Sequence, residues 1–442
     1  MNYSPAKTLI LFFLALITAG TALLLLPVSR NPGFDFSVLT CLFTSVSAVS
    51  VTGLSVVSIG EYFSLFGQIV ILFLMQIGGL GYMFVSTAAT LLIGKMALKD
   101  RRMMQEIFDI SSFSDLKRLL YKAMFFIFAI EFAGTVILTA FFAGHFSFLK
   151  SFYLGIFHSV SAFCSGGFSL FSDSLTGYAS SPVLLYTMSL LMLLGGLGFF
   201  VIVDLYDTYK YKRLHLSTNT KVILLVYASI IVFGFVFFFL SEKMYVSGLL
   251  NNTGIFEAVN NSLFQAISAC TAGFNSVPTE QFNDFTKAVL SFLMSIGAAP
   301  GSTAGGLKVT TLALVFVFVR STIESQEDYV IFKRRIPWDL VKKALAIFII
   351  YFAAMALFSA ALVMIETSAA HAIDVVFEAV SAFGTLGLSA GITPMLSSLG
   401  KIIVIAAMVI GRIGILTVLI LMATSAVGKK NIKYPEARIL VG

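Results

Sequence analysis

Charge is what this sequence lacks: only 12% of its 442 residues are Asp, Glu, Lys or Arg, against 58% hydrophobic residues. A water-facing surface needs about 25% charged residues, so no soluble domain of this length can be covered. Disorder falls by the same arithmetic, and a net charge of +7 spread over so apolar a chain does not mark a nucleic-acid-binding surface. Cysteine is scarce as well. Cys41, Cys164 and Cys270 have no CxxC spacing and cannot build a disulfide framework. His145, His158, His215 and His371 form no HExxH or Cys/His cluster, which removes zinc and redox chemistry. An intramembrane hydrolase goes with them, because paired intramembrane aspartates are missing too. No GxxxxGK[ST] or GxGxxG cradle follows a strand, so the chain carries no nucleotide site and no cofactor of its own.

Long apolar runs are what it has. They recur near residues 9–26, 66–93, 121–143, 183–206, 221–240, 287–319, 341–365 and 400–427, each long enough to cross a hydrocarbon core of about 30 Å. The first ends at Pro27-Val28-Ser29-Arg30 without a small-residue cleavage site and reads as a retained helix. Four shorter apolar stretches, Phe36–Ala48, Phe152–Phe163, Ile255–Ala269 and Ala372–Phe383, are too short to span and run into glycine-containing turns. Short helix followed by irregular backbone predicts re-entrant segments, tolerated in a membrane only where protein or a watery cavity surrounds them.

The few charges set the orientation. Of 29 Lys and Arg, 22 fall at the N-terminus, in the connectors near 94–122, 207–221 and 320–343, and after Val427, whereas five lie on the other side. Both termini are therefore expected in the cytoplasm, with all four re-entrant segments entering from outside. Ten acids face that outer side, either as ordinary loop charges or as a mouth that concentrates cations. Basic clusters such as Lys333-Arg334-Arg335 fit the inner lipid headgroups.

The short stretches repeat one another. Phe43-Thr-Ser-Val-Ser-Ala48, Phe157-His-Ser-Val-Ser-Ala162, Phe264-Gln-Ala-Ile-Ser-Ala269 and Phe377-Glu-Ala-Val-Ser-Ala382 lead into Val51-Thr52-Gly53, Ser165-Gly166-Gly167, Thr271-Ala272-Gly273 and Thr385-Leu386-Gly387. Gly53, Gly167, Gly273 and Gly387 are 114, 106 and 114 residues apart, which fills the chain in quarters. A second motif follows each: Gly78-Gly-Leu-Gly81, Gly195-Gly-Leu-Gly198, Gly305-Gly-Leu-Lys308 and Gly411-Arg-Ile-Gly414, with helix packing as the expected role of the first two, in spans two and four. Two spans per unit leave all four units in one orientation.

The expected fold is thus an all-α integral membrane protein of eight transmembrane helices and four re-entrant pore helices. Its four pseudo-symmetric helix–pore-loop–helix repeats surround a central ion pathway. The repeats run 1–94, 95–207, 208–320 and 321–428, with a cytoplasmic tail at 429–442. Four glycine turns around one axis would aim backbone carbonyls into a shared path, and carbonyl rings replace the hydration shell of a cation.

On these turns the sequence resembles the Trk/Ktr/HKT superfamily of potassium transporters over nearly its whole length, and is most similar to the Ktr-type membrane subunit. The resemblance implies a potassium filter at Val51, Thr52, Gly53, Ser165, Gly166, Gly167, Thr271, Ala272, Gly273, Thr385, Leu386 and Gly387. Sodium-selective plant relatives place Ser at the first filter glycine, where this chain has Gly53. It also implies a homodimer in the bacterial inner membrane, sodium dependence, and a cytosolic ring of regulatory subunits (Ktr A type) that binds ATP or ADP. A sodium-preferring transporter of the same fold, or the ion-conducting subunit of an ATP-driven potassium pump, are the rival readings.

Two departures from the repeat suggest a gate. Arg412 stands inside the last apolar run, where a charge costs roughly 2.5–3.5 kcal/mol and faces a bundle interior or a cavity. It is expected as a barrier to cations, as the family's equivalent arginine is thought to be, or as the ion-pair partner of Glu131. In repeat three, Gly297-Ala-Ala-Pro300-Gly301-Ser-Thr-Ala-Gly305-Gly306 cannot sustain a helix, so the sixth span should break there, bounded by Lys308. The family has an intramembrane gating loop at this place.

Overall fold

The computed structural model describes residues 5–93, 113–212, 215–245, 248–366 and 371–414. The expected 94/95 repeat boundary, the end of the last span and the tail at 429–442 lie outside them. Repeat one comprises α1 (Pro5–Leu24), α2 (Val38–Ser50) and α3 (Leu65–Ile93). Repeat two comprises α4 (Phe113–Phe142), α5 (Phe148–Phe163), α6 (Pro182–Leu197) and α7 (Phe199–Lys210). Repeat three has α8 (Thr218–Phe239), α9 (Ile255–Thr271), α10 (Asp284–Ser295) and α11 (Val309–Ile323). A hairpin of β1 (Tyr329–Ile331) and β2 (Arg334–Ile336) then precedes α12 (Trp338–Glu366), α13 (Ala372–Gly384) and α14 (Ser398–Ile413) of repeat four.

The first helix of each repeat is the continuous one. Among the described residues, the four helices long and apolar enough to cross a membrane unaided are Lys7–Leu24, Arg118–Phe142, Thr218–Met244 and Trp338–Glu366. Their outward faces carry Phe125, Phe132, Leu357 and Met364, all widely exposed, as a lipid-facing surface requires. The short stretches are the buried ones. In α2, α5, α9 and α13 the repeated Phe43, Phe157, Phe264 and Phe377 are inaccessible or nearly so, as are Ser47, Ser161, Ser268 and Ser381.

The second helix of repeats one to three does not run straight, and that of repeat four is described only to Gly414. The chain turns at Gly81 (φ 74, ψ 169), Gly198 (φ 78, ψ 149) and Gly414 (φ 88, ψ 124), backbone that a Cβ disfavours. Across Gly198, α6 and α7 meet at 93°. Only the break in repeat three was expected. The last glycine of the second motif bends the chain in repeats one and two and ends the described helix in repeat four, and helix packing is the work of its first glycine. A Cβ on Gly78, Gly195 or Gly411 would overlap the carbonyl oxygen of Val49, Phe163 or Phe383 at the end of the pore helix.

This geometry also corrects the alignment of repeat three. Counted from Leu65, Pro182, Asp284 and Ser398, the first helical residues, the equivalent glycines are Gly78, Gly195, Gly297 and Gly411. Gly305-Gly306-Leu307-Lys308 copies the motif in composition only and belongs to an insertion. The insertion closes on itself: the Gly297 N–H donates to the Leu307 carbonyl at 2.8 Å, and Ile296 bridges Leu307 in parallel.

Candidate functional site

Each pore helix ends in a tight turn secured by the serine of its repeat. The Ser47 and Ser381 hydroxyls accept from the Gly53 and Gly387 N–H groups, both at 3.1 Å. Ser161 and Ser268 instead donate to the Phe168 and Phe274 carbonyls at 2.8 and 2.7 Å. Before the glycine, Val51, Ser165 and Thr385 adopt left-handed backbone (φ 55, 60 and 54), costing about 1–2 kcal/mol each. Repeat three departs: α9 runs on to Thr271, the counterpart of those three residues, which is helical rather than left-handed.

The four glycines meet. Gly53, Gly167, Gly273 and Gly387 have φ of 91, 67, 78 and 90, so none accepts a side chain without strain. A Cβ on Gly53 would stand 2.7 Å from the Gly166 carbonyl oxygen. On Gly167 it would strike the Ala272 carbonyl, on Gly273 that of Leu386, and on Gly387 that of Thr52. The contacts pass from repeat one to two, three, four and back to one, a closed ring of backbone in which every Cβ position is already occupied. The turns at 51–53, 165–167, 271–273 and 385–387 thus come together, as their spacing suggested. Chemically, four carbonyl-bearing turns around one point suit a partly dehydrated cation.

Arg412 and the repeat-three loop come together as well. The Arg412 guanidinium donates through Nη1 to the Thr303 carbonyl (2.5 Å) and through Nη2 to the carbonyls of Gly78 (2.5 Å) and Gly79 (3.3 Å). No described carboxylate lies within salt-bridge distance of Arg412. The ion pair with Glu131 is therefore absent: Gln76 Nε2 donates to both Glu131 oxygens, at 3.0 and 3.2 Å. Within the loop, Lys308 Nζ donates to the Ala304 carbonyl at 2.6 Å and the Gly305 carbonyl at 3.3 Å, stapling its base. Pro300 and Gly301 lie against the Gly198 bend, where the Phe199 N–H donates to the Gly301 carbonyl at 3.3 Å. Gly297 and Gly306 pack on each other, and Gly305 packs on the Thr385 side chain.

Sequence reasoning missed Thr303, whose hydroxyl reaches Ser165 of the second glycine turn, because nothing but its place in the loop distinguishes it. The serines of the FxxxSA repeat were visible as a pattern but not as clamps. The outer acids divide. Glu242, Glu366 and Glu378 are buried and accept hydrogen bonds from Thr286, Ser397 and Thr393, and Asp374 pairs with Lys287 at 2.6 Å. Asp35, Glu61, Asp173, Glu280 and Asp284 remain exposed.

Broken helices around a ring of re-entrant turns define a multi-pass membrane transport protein rather than an enzyme, and the comparisons agree. The chain matches the TrkH family of cation transport proteins over residues 4–434 and belongs to it. It is 37% identical to the Ktr system potassium uptake protein B of Vibrio alginolyticus, over 99% of this chain and 94% of that one. It is 34% identical to the potassium/sodium uptake protein NtpJ of Enterococcus hirae, over 99% and 97%. The crystal structure of the potassium transporter TrkH from Vibrio parahaemolyticus shares the fold, with a TM-score of 0.72 at 21% identity over 96% of this chain and 85% of that one.

Proposed function

We propose that this protein takes up potassium across the bacterial inner membrane through the four-turn ring, with the 297–308 loop and Arg412 as its gate. The observation that carries the reading is the closed ring of Gly53, Gly167, Gly273 and Gly387, each fitted against the next repeat's carbonyl. Carbonyl coordination compensates a cation for lost water, and selectivity follows from the number and spacing of the oxygens. Arg412, held by three carbonyls and no carboxylate, keeps its full positive charge beside the path. That charge opposes a cation until loop and guanidinium move apart.

Both termini are assigned to the cytoplasm from the distribution of Lys and Arg. The relatives' designation as parts of a Ktr system supports a partner subunit. We assign to that partner, a cytosolic ring, the binding of ATP or ADP, and to the membrane chain a homodimer. The name of the Enterococcus relative, potassium/sodium uptake protein, supports a second reading in which sodium is carried or coupled.

The test is potassium uptake by a transport-deficient bacterial strain expressing this chain with and without its regulatory subunit, followed by ion selectivity in proteoliposomes. Rescue with preference for potassium supports the reading. Failure of well-expressed protein to rescue, or a preference for sodium, refutes it.

A further inference from the structure

The repeat-three loop does not merely lie under the ring; it is bonded to it. The Thr303 hydroxyl has one proton, which it donates to the Phe163 carbonyl at 2.9 Å. Phe163 is the last residue of α5, so its carbonyl is among the acceptors that a helix end leaves unpaired. The same hydroxyl lies 2.9 Å from Ser165 Oγ, and with its own proton spent it accepts one from Ser165. Both Ser165 and Thr303 are buried, and Ser165 is the left-handed residue two positions before the filter glycine Gly167.

The rest of the loop meets the ring on another side. A Cβ at Gly305 would collide with the Thr385 side chain, and Thr385 is the left-handed residue of the fourth turn, its buried hydroxyl without a partner. The Thr303 carbonyl, meanwhile, accepts from Arg412. One loop thereby holds the arginine with its backbone and two filter turns with Thr303 and Gly305.

We propose that Thr303 is a latch that couples the position of the loop to the shape of the filter, an inference that rests on the transport reading above. With the loop in place, Ser165 is fixed in its strained backbone by a hydrogen bond outside its own turn. When the loop leaves, Phe163 loses a cap and Ser165 loses its acceptor, so the second turn relaxes. Linkage makes the effect reciprocal: whatever ion occupancy favours the latched turn also favours the seated loop. Thr303 is a positioning residue here, acting on the ion through Ser165.

The experiment compares potassium flux and the potassium-to-sodium ratio in proteoliposomes for wild type, Thr303→Val, Thr303→Ser, Ser165→Ala and the Thr303→Val/Ser165→Ala pair. Valine keeps the shape and removes the hydroxyl. Thr303→Val should raise flux and lower the ion ratio, each by at least roughly fivefold, the factor that each lost neutral hydrogen bond of about 1 kcal/mol sets on a two-state equilibrium. Ser165→Ala, which removes only the bond to Thr303, should move both readouts the same way, the pair should go no further than Thr303→Val alone, and Thr303→Ser should restore both readouts. Raised flux with an unchanged ratio would make the loop an independent plug and overturn the latch, as would additive effects or wild-type behaviour of Thr303→Val. Wild type that passes no potassium would refute the transport reading itself. Thermal melting of each purified variant separates these outcomes from misfolding.

Discussion

At the scale of single residues, the glycines of the ring are constrained twice, by dihedral and by space. Left-handed backbone costs a residue with a Cβ about 1–2 kcal/mol, and on Gly273 that Cβ would also meet backbone atoms of Leu386 and Gly387. Gly273→Ala should therefore insert normally yet lose potassium uptake by about tenfold or more, since 1.4 kcal/mol is already a factor of ten. Uptake at the wild-type rate would show that the turn tolerates displacement. Arg412 is constrained differently, by hydrogen bonds to neutral acceptors. Arg412→Gln keeps an amide NH2 as donor group and removes the charge, so flux should rise; unchanged or lower flux in folded protein would remove the barrier role. That the four glycines end equivalent turns was legible in their even spacing. That Arg412 binds carbonyls of repeats one and three was not, because partners 109 and 334 residues distant leave no local trace.

At the scale of elements, the bends of the second helices separate strain from contact. Gly81 and Gly198 share nearly the same dihedrals, but a Cβ on Gly81 meets nothing within 4 Å, whereas on Gly198 it stands 3.0 Å from the Pro300 carbonyl. Alanine at either position should cost about 1–3 kcal/mol of stability, read as similar drops in melting temperature. Only Gly198→Ala should alter flux, because only that bend supports the loop. Equal flux effects would show that the bends act through the helices alone. The sequence announced the interruption in repeat three, since Pro300 and its neighbouring glycines defeat any helix. It concealed the bends at Gly81 and Gly198, because a small-residue motif serves close packing as well as a turn. It also misled on register: Gly305-Gly306-Leu307 imitates the motif, and only helix length shows Gly297 to be its counterpart.

At the scale of the whole molecule, adjacent repeats are joined by polar contacts within an apolar body. Gln76 and Glu131 join repeats one and two, and Tyr186 donates to Asn260 at 2.5 Å between two and three. Lys287 and Asp374 join three and four, with side chains 7% and 13% exposed. Removing one member of a buried ion pair costs roughly 3–5 kcal/mol, because the other charge is left stranded. Asp374→Leu should lower the melting temperature of the purified protein, and Lys287→Met added to it should recover most of the loss. A single variant as stable as wild type would mean that water already reaches the lysine. Pseudo-fourfold order was readable from glycine spacing, but these joints were not, since Lys287 and Asp374 are 87 residues apart.

The third turn, with its longer pore helix and its helical Thr271 where the other turns are left-handed, sits in the same repeat as the inserted loop. An assembly of four identical chains must make every change in all quadrants at once. A single chain that encodes its quadrants separately can give one of them a moving part, and leave the other three to keep the aperture the right size.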